Sequence, residues 1–228
     1  MIRKILFTLT ATLIILSIYM VFFIAPIPND IHSIVGDPNS FKIFYFHVPI
    51  DMAAYLSFAI VFVSSILYLR SKQQKWDILA LSAAEVGVVF TFLILATGSI
   101  WAKSAWGVYW ITGDVLLMTS LVLFLIYISY LTIRQAIDEP EKRARLSAVF
   151  GVVGFIGVPL SYMSIRLAQK SSQLKPMELH TSSSSPLFIT LLMNIAAFFL
   201  LALSLILLRM DNEKLKEQLN EIKRDKDL

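Results

Sequence analysis

The chain has 228 residues (25.8 kDa), 57% of them hydrophobic and only 16% charged, with a mean hydropathy of +0.72. Soluble domains carry about 25% charged residues, so this composition excludes a soluble enzyme, a disordered regulator and a nucleic-acid module. The net charge of +4 then reads as an orientation signal for a membrane, and the absence of cysteine excludes disulfides, thiolate metal ligation and thiol nucleophiles.

In chain order, six stretches are long and apolar enough to cross a hydrocarbon core, which takes about 20 helical residues. They are Ile5–Ala25, Ile43–Leu69, Ile78–Ile100, Val115–Ile133, Leu146–Ile165 and Leu187–Leu208. The expected fold is therefore an all-α integral membrane protein with six transmembrane helices in one membrane domain, followed by a charged tail, 209–228. The first stretch follows Arg3 and Lys4 as a signal peptide would. It exceeds the usual apolar core of such a peptide and lacks a small-residue cleavage site, so a retained helix is expected. Lysine and arginine bias sets orientation. With both termini cytoplasmic, 15 basic residues fall inside and 5 outside (Lys42, Lys103, Arg166, Lys170 and Lys175). The tail alternates charge and reads either as a solvated extension of the last helix or as a docking surface for a cytoplasmic partner.

The unusual polar and aromatic residues gather at the outer face. His47 opens the second span within Phe44-Tyr45-Phe46-His47-Val48-Pro49, and His180 precedes the last span. His32 lies in the first outer loop, where a solvated histidine is unremarked. The middle outer segment, 98–114, holds three of the four tryptophans, Trp101, Trp106 and Trp110, with Gly107 and Tyr109. An interfacial aromatic belt is one reading. The other is a site for a flat metallated macrocycle. On that reading Trp106 and Trp110 share one face of a short interfacial helix, Gly107 leaves room for a planar ligand, and His47 and His180 supply axial nitrogens to haem. Lys103, Lys170 and Lys175 then stand ready for its propionates.

Two acids lie within spans. Asp51, one turn after His47, either orients that imidazole or sits in water at the helix end. Glu85 lies deep in the third span, where a carboxylate is costly unless neutral or paired. It reads either as a neutral hydrogen-bonded acid or as a contact to another helix or subunit.

These features together resemble the CcmC family of haem-handling membrane proteins of the cytochrome c maturation system. The resemblance rests on the six spans, His47-Val48-Pro49, Thr97-Gly98-Ser99-Ile100-Trp101, the segment from Trp106, and Leu179-His180. The family motif is Trp-Gly-x-x-Trp-x-Trp-Asp. Trp106, Gly107 and Trp110 match it, Thr112 and Gly113 replace its third tryptophan and its acid, and Asp114 falls one residue late. The resemblance implies haem b as bound cargo, with His47 and His180 as iron ligands. Trp101, Lys103, Trp106, Gly107, Tyr109, Trp110 and Asp114 would surround it. It also implies delivery to a CcmE-like haem chaperone, and a complex with CcmA/CcmB-like ATP-binding-cassette subunits and a CcmD-like small membrane protein. The sequence has no Gly-x-x-x-x-Gly-Lys-[Ser/Thr] loop, so ATP hydrolysis is expected on a partner. A haem-bearing redox subunit of the cytochrome b type and a haem-free permease subunit are the alternative functions.

Overall fold

The structure is a computed structural model that describes residues 2–27, 37–167 and 185–226. The helices are α1 (Ile2–Phe23), α2 (Phe44–Ser71), α3 (Gln74–Trp106), α4 (Val115–Ala136), α5 (Pro140–Gly154), α6 (Gly157–Leu167) and α7 (Pro186–Lys226). A short 3-10 turn, Pro38–Ile43, leads into α2. Among the described residues, six helical crossings are long and apolar enough to span a membrane, with α5 and α6 forming one of them. That crossing is interrupted at Phe155–Ile156, where Ile156 N–H and Val158 N–H bond carbonyls three residues back. The flanking glycines let the break press against α4: a Cβ on Gly154 would lie 2.9 Å from Ile126, and one on Gly157 would lie 3.0 Å from Leu123.

The bundle is centred on α2 and α3, the most closely associated pair, each carrying buried small residues: Ala53, Ala54 and Ser57 on α2, and Ala83, Ala84 and Gly87 on α3. Lipid offers no hydrophobic incentive for helices to associate, so close approach through small side chains carries the packing. At Gly87 the fit is tightest, since a Cβ there would stand 2.4 Å from the Phe58 ring. That ring is itself stacked on Tyr127 of α4, with centroids 3.5 Å apart and planes 7° from parallel. By contrast α1 is mostly exposed on its outer surface, as a lipid-facing helix must be.

Ion pairs centred on three arginines gather at the basic-rich end of the bundle. Arg134 of α4 donates to both Asp77 oxygens at 2.5 and 2.7 Å, a buried two-pronged pair between α3 and α4. Arg209 of α7 donates to Glu85 through Nε and, at 2.9 Å, through Nη2, and also pairs with Glu213 at 2.7 Å. Arg3 pairs with Asp211, so the start of α1 meets the continuation of α7 at this end. Asp77, Arg134, Glu85, Arg209 and Glu213 border a polar cavity of about 800 Å³ whose other walls include Lys72, Arg143 and Lys216. Glu85 is thus an ion-paired contact between α3 and α7. Of its two readings, the contact to another helix holds and the neutral hydrogen-bonded acid is corrected, because Arg209 of α7 reaches back to it.

One further expectation changes, and the expected helical extension into the tail is present. Ile78–Ile100 extends at both ends, so that Trp101–Trp106 belongs to α3 and not to the outer loop. The last span continues without a break from Pro186 to Lys226, taking most of the charged tail with it.

Candidate functional site

His47 sits in the first turn of α2, directly after the 3-10 turn. That turn is fixed by Asp37, whose carboxylate accepts from Asn39 N–H, and by Ser40, whose hydroxyl meets that of Ser104 on α3 at 2.8 Å. The imidazole crosses to α3. Its Nδ1 lies 2.7 Å from Thr97 Oγ1, and its Cε1 would be 3.3 Å from a Cβ on Gly98. Leu117, in the first turn of α4, borders the same point. A larger residue than glycine at 98 would crowd the ring, so α2, α3 and α4 jointly set its position.

The Thr97 hydroxyl is 2.7 Å from the Leu93 carbonyl and 3.3 Å from that of Ile94, both pure acceptors. A hydroxyl has one proton. With that proton directed to its own helix, Oγ1 would accept from Nδ1–H of His47 and leave the Nε2 lone pair free. Among the described residues nothing hydrogen-bonds Nε2. An imidazole with one nitrogen tethered and the other open is the form in which histidine binds a metal. The acceptor on Nδ1 is therefore Thr97. Asp51 instead shares a hydrogen bond with Tyr55, whose hydroxyl is 3.1 Å from Ser161 on α6.

The tryptophan segment begins about 12 Å farther along α3, eight residues on from Gly98 at 1.5 Å each. α3 ends at Trp106 because Gly107 takes the left-handed conformation, φ 76°, and closes the helix with its N–H on Lys103 O. Trp110 lies beyond this cap, so Trp106 and Trp110 do not share a helix face, and that expectation is corrected. Gly107 has open space around it, with nothing within 4 Å of where a Cβ would stand. The loop is braced by Lys103, whose ammonium donates to the Gly107 carbonyl at 2.7 Å and stands 5.4 Å from the centre of the Tyr109 ring. Tyr109 is 61% exposed, while Trp106 and Trp110 are half-buried. Trp101 is buried against Phe41, Phe44, Tyr45 and Leu187, among the packing that supports the site. Asp114 caps α4 by accepting from Leu117 N–H at 2.9 Å.

Of the residues expected to form the site, the structure brings His47 against α3 and gathers Lys103, Trp106, Gly107, Tyr109 and Trp110 at the end of that helix. His180, Lys170, Lys175 and His32 lie outside the described residues. Thr97 was missed as a partner of His47, although it opens the Thr97-Gly98-Ser99-Ile100-Trp101 stretch on which the resemblance rests.

The family model for heme exporter protein C matches residues 1–225, almost the whole chain. The chain belongs to the heme exporter protein C (CcmC) family. It is 33% identical over 185 residues to heme exporter protein C of Bradyrhizobium diazoefficiens, covering 79% of this chain and 69% of that one. It is 32% identical over 182 residues to the Escherichia coli K12 protein of the same name, covering 76% and 70%. With the Haemophilus influenzae relative the match is 30% identical over 212 residues, covering 90% and 82%. Membership and six apolar crossings together make it a multi-pass protein of the inner membrane.

Proposed function

We propose that this protein holds haem b at the outer face of the membrane and hands it to a CcmE-like chaperone for cytochrome c assembly. It acts as a delivery component and not as an enzyme. The observation that carries this reading is the setting of His47: its Nδ1 lies 2.7 Å from Thr97 Oγ1, and its Nε2 has no hydrogen-bond partner among the described residues. His180 supplies the second axial nitrogen. The exposed Tyr109 and half-buried Trp106 and Trp110 lie along the macrocycle edge, and the open space at Gly107 lets a flat ligand approach the backbone. Lys103 offers its ammonium to a propionate, exchanging its contact with the Gly107 carbonyl. Trp101 and Asp114 act from behind, one by packing α3 and the other by capping α4.

The 15-to-5 distribution of basic residues supports an orientation with the His47 end outside and the ion-paired end in the cytoplasm. Haem must be held firmly enough to be retained and loosely enough to leave. A ligand fixed on the helix bundle together with one on the segment before α7 meets both needs, since withdrawing His180 weakens the grip without disturbing α2 or α3. ATP hydrolysis belongs to CcmA/CcmB-like subunits, and a CcmD-like membrane protein completes the assembly.

The test is titration of the purified protein with haem, followed by addition of the haem chaperone. One haem per chain, passed on by the parent and retained or lost without transfer by His180→Ala, is the expected result. A protein that gives no Soret band with added haem, or that binds two haems per chain, contradicts the proposal.

A further inference from the structure

The polar cavity at the ion-paired end lies opposite the His47 face and takes no part in haem handling. Its volume, about 800 Å³, falls in the range of about 300–1,000 Å³ usual for small-molecule sites. The innermost charges satisfy one another: Arg134 pairs with Asp77, and Arg209 with Glu85 and Glu213, the last also 4.0 Å from Lys216. Four charged wall residues remain, Lys72 and Arg143 against Asp138 and Glu141. Among the described residues none of these four has an ion-pair partner. Arg134 also keeps a buried Nε–H with no acceptor among the described residues. Two uncommitted charges of each sign call for a ligand that carries both. The cavity also leads toward lipid. α4 and α7 both pack on α3 but hardly touch each other, so a strip of α3 shows between them. Ile78, Leu81 and Glu85 on that strip line the cavity. Val89 and Phe92, four and seven residues on, lie within about 40° of Glu85 around the helix, and each is 57% exposed. Phe124 of α4 flanks the strip, its ring 6.4 Å from that of Phe92. From Glu85 to Phe92 the surface changes from polar to wholly apolar within about 10 Å.

We propose that the cavity and the strip together bind one phospholipid whose headgroup carries a phosphate and a primary ammonium, as phosphatidylethanolamine does. Basic pockets between helices at a membrane boundary hold lipid headgroups. Here Lys72, Arg143 and the spare N–H of Arg134 receive the phosphate oxygens. The ammonium donates to Asp138 and Glu141, and an acyl chain lies along Val89 and Phe92. The two acids set the choice of headgroup. An anionic glycerol headgroup brings no positive charge to them and leaves both opposed to its phosphate. A choline headgroup has the positive charge but no N–H to donate, whereas a primary ammonium has three. A soluble phosphoester has the same polar chemistry but no chain to cover the strip, and burial of that apolar surface favours the lipid over it. The bound lipid closes the gap that α4 and α7 leave over α3. This site is independent of how haem is held at the other face.

The test is native mass spectrometry of the full chain, delipidated in detergent and offered equal amounts of phosphatidylethanolamine, phosphatidylcholine and phosphatidylglycerol with the same acyl chains. The parent should retain the ethanolamine lipid about tenfold better than either of the others, the scale of one charge-assisted hydrogen bond. Asp138→Asn with Glu141→Gln should reverse the preference toward phosphatidylglycerol, because only the cations then remain uncommitted. Lys72→Gln with Arg143→Gln should lower retention of the ethanolamine lipid by about tenfold or more. Arg145→Gln, exposed and outside the cavity, should behave as the parent. The replaced side chains stand at the polar end and not in the apolar core, and an unchanged helical circular dichroism spectrum checks that each variant is folded. Glycerophosphoethanolamine and inorganic phosphate, each in large excess, should fail to displace the bound lipid. Equal retention of the three lipids, a preference unaltered in both double variants, or displacement by either soluble phosphate compound would each overturn the proposal.

Discussion

Replacing Thr97 by valine removes one oxygen and leaves the shape of the side chain nearly unchanged. In the parent, Oγ1 lies 2.7 Å from both His47 Nδ1 and Leu93 O, so with its own proton on Leu93 O it accepts the ring proton. In Thr97→Val that proton faces a methyl group. An unsatisfied donor of this kind is worth about 1–3 kcal/mol, and removal of a hydrogen-bond partner behind a metal-binding histidine typically lowers affinity about 10- to 100-fold. Haem affinity of Thr97→Val should fall within that range. Thr97→Ser, which keeps the hydroxyl and its bond to the helix, should stay within a few-fold of the parent. The assay is equilibrium haem titration followed at the Soret band. Nitrogen-15 shifts of His47 in the haem-free protein provide an independent readout: the parent should carry its proton on Nδ1, and the valine variant should show a mixture of tautomers. Equal affinity of parent and valine variant, or a serine variant as weak as valine, would refute the reasoning. An altered tautomer with unchanged haem binding would instead remove His47 from the ligand set while leaving its pairing with Thr97 standing.

Asp77→Asn breaks a buried two-pronged pair and leaves Arg134 without its counter-charge, so a loss of about 3–5 kcal/mol is expected, read as a lowered unfolding midpoint in detergent. Asp77→Leu with Arg134→Met should be milder than either single change, because no buried charge is stranded. Gly87→Val drives a side chain into Phe58, which cannot swing aside because Tyr127 is stacked behind it, and should cost about 1–3 kcal/mol or more. Asp114→Ala removes an N-cap worth about 1 kcal/mol, which should lower the midpoint slightly while leaving haem affinity within a few-fold of the parent. A large loss of haem with unchanged stability would instead give Asp114 direct contact with the cargo.

The six crossings were legible because long runs without charge have few other uses. Helix ends were less so. Trp101-Ala102-Lys103-Ser104-Ala105-Trp106 looks like loop because it is polar and aromatic, yet nothing in it stops a helix, and α3 runs on to the first residue that does, Gly107. Gly107 as a C-cap and Asp114 immediately before the apolar run of α4 were the local signals that bound this loop. Contacts between helices were the least legible. Thr97 and His47 are fifty residues apart, as Asp77 and Arg134 are fifty-seven apart, and only the packing of α2, α3 and α4 joins them. Glu85 betrayed itself by its depth, but its partner Arg209 read as an ordinary flanking charge.

The most direct measurement is the absorption and electron paramagnetic resonance spectrum of ferric haem bound to the parent, His47→Ala and His180→Ala proteins. The parent should show low-spin iron with two imidazole ligands, and each variant should lose that signature. A low-spin bis-imidazole spectrum that survives His47→Ala would contradict the account, because the open Nε2 of His47 would then have no iron to bind.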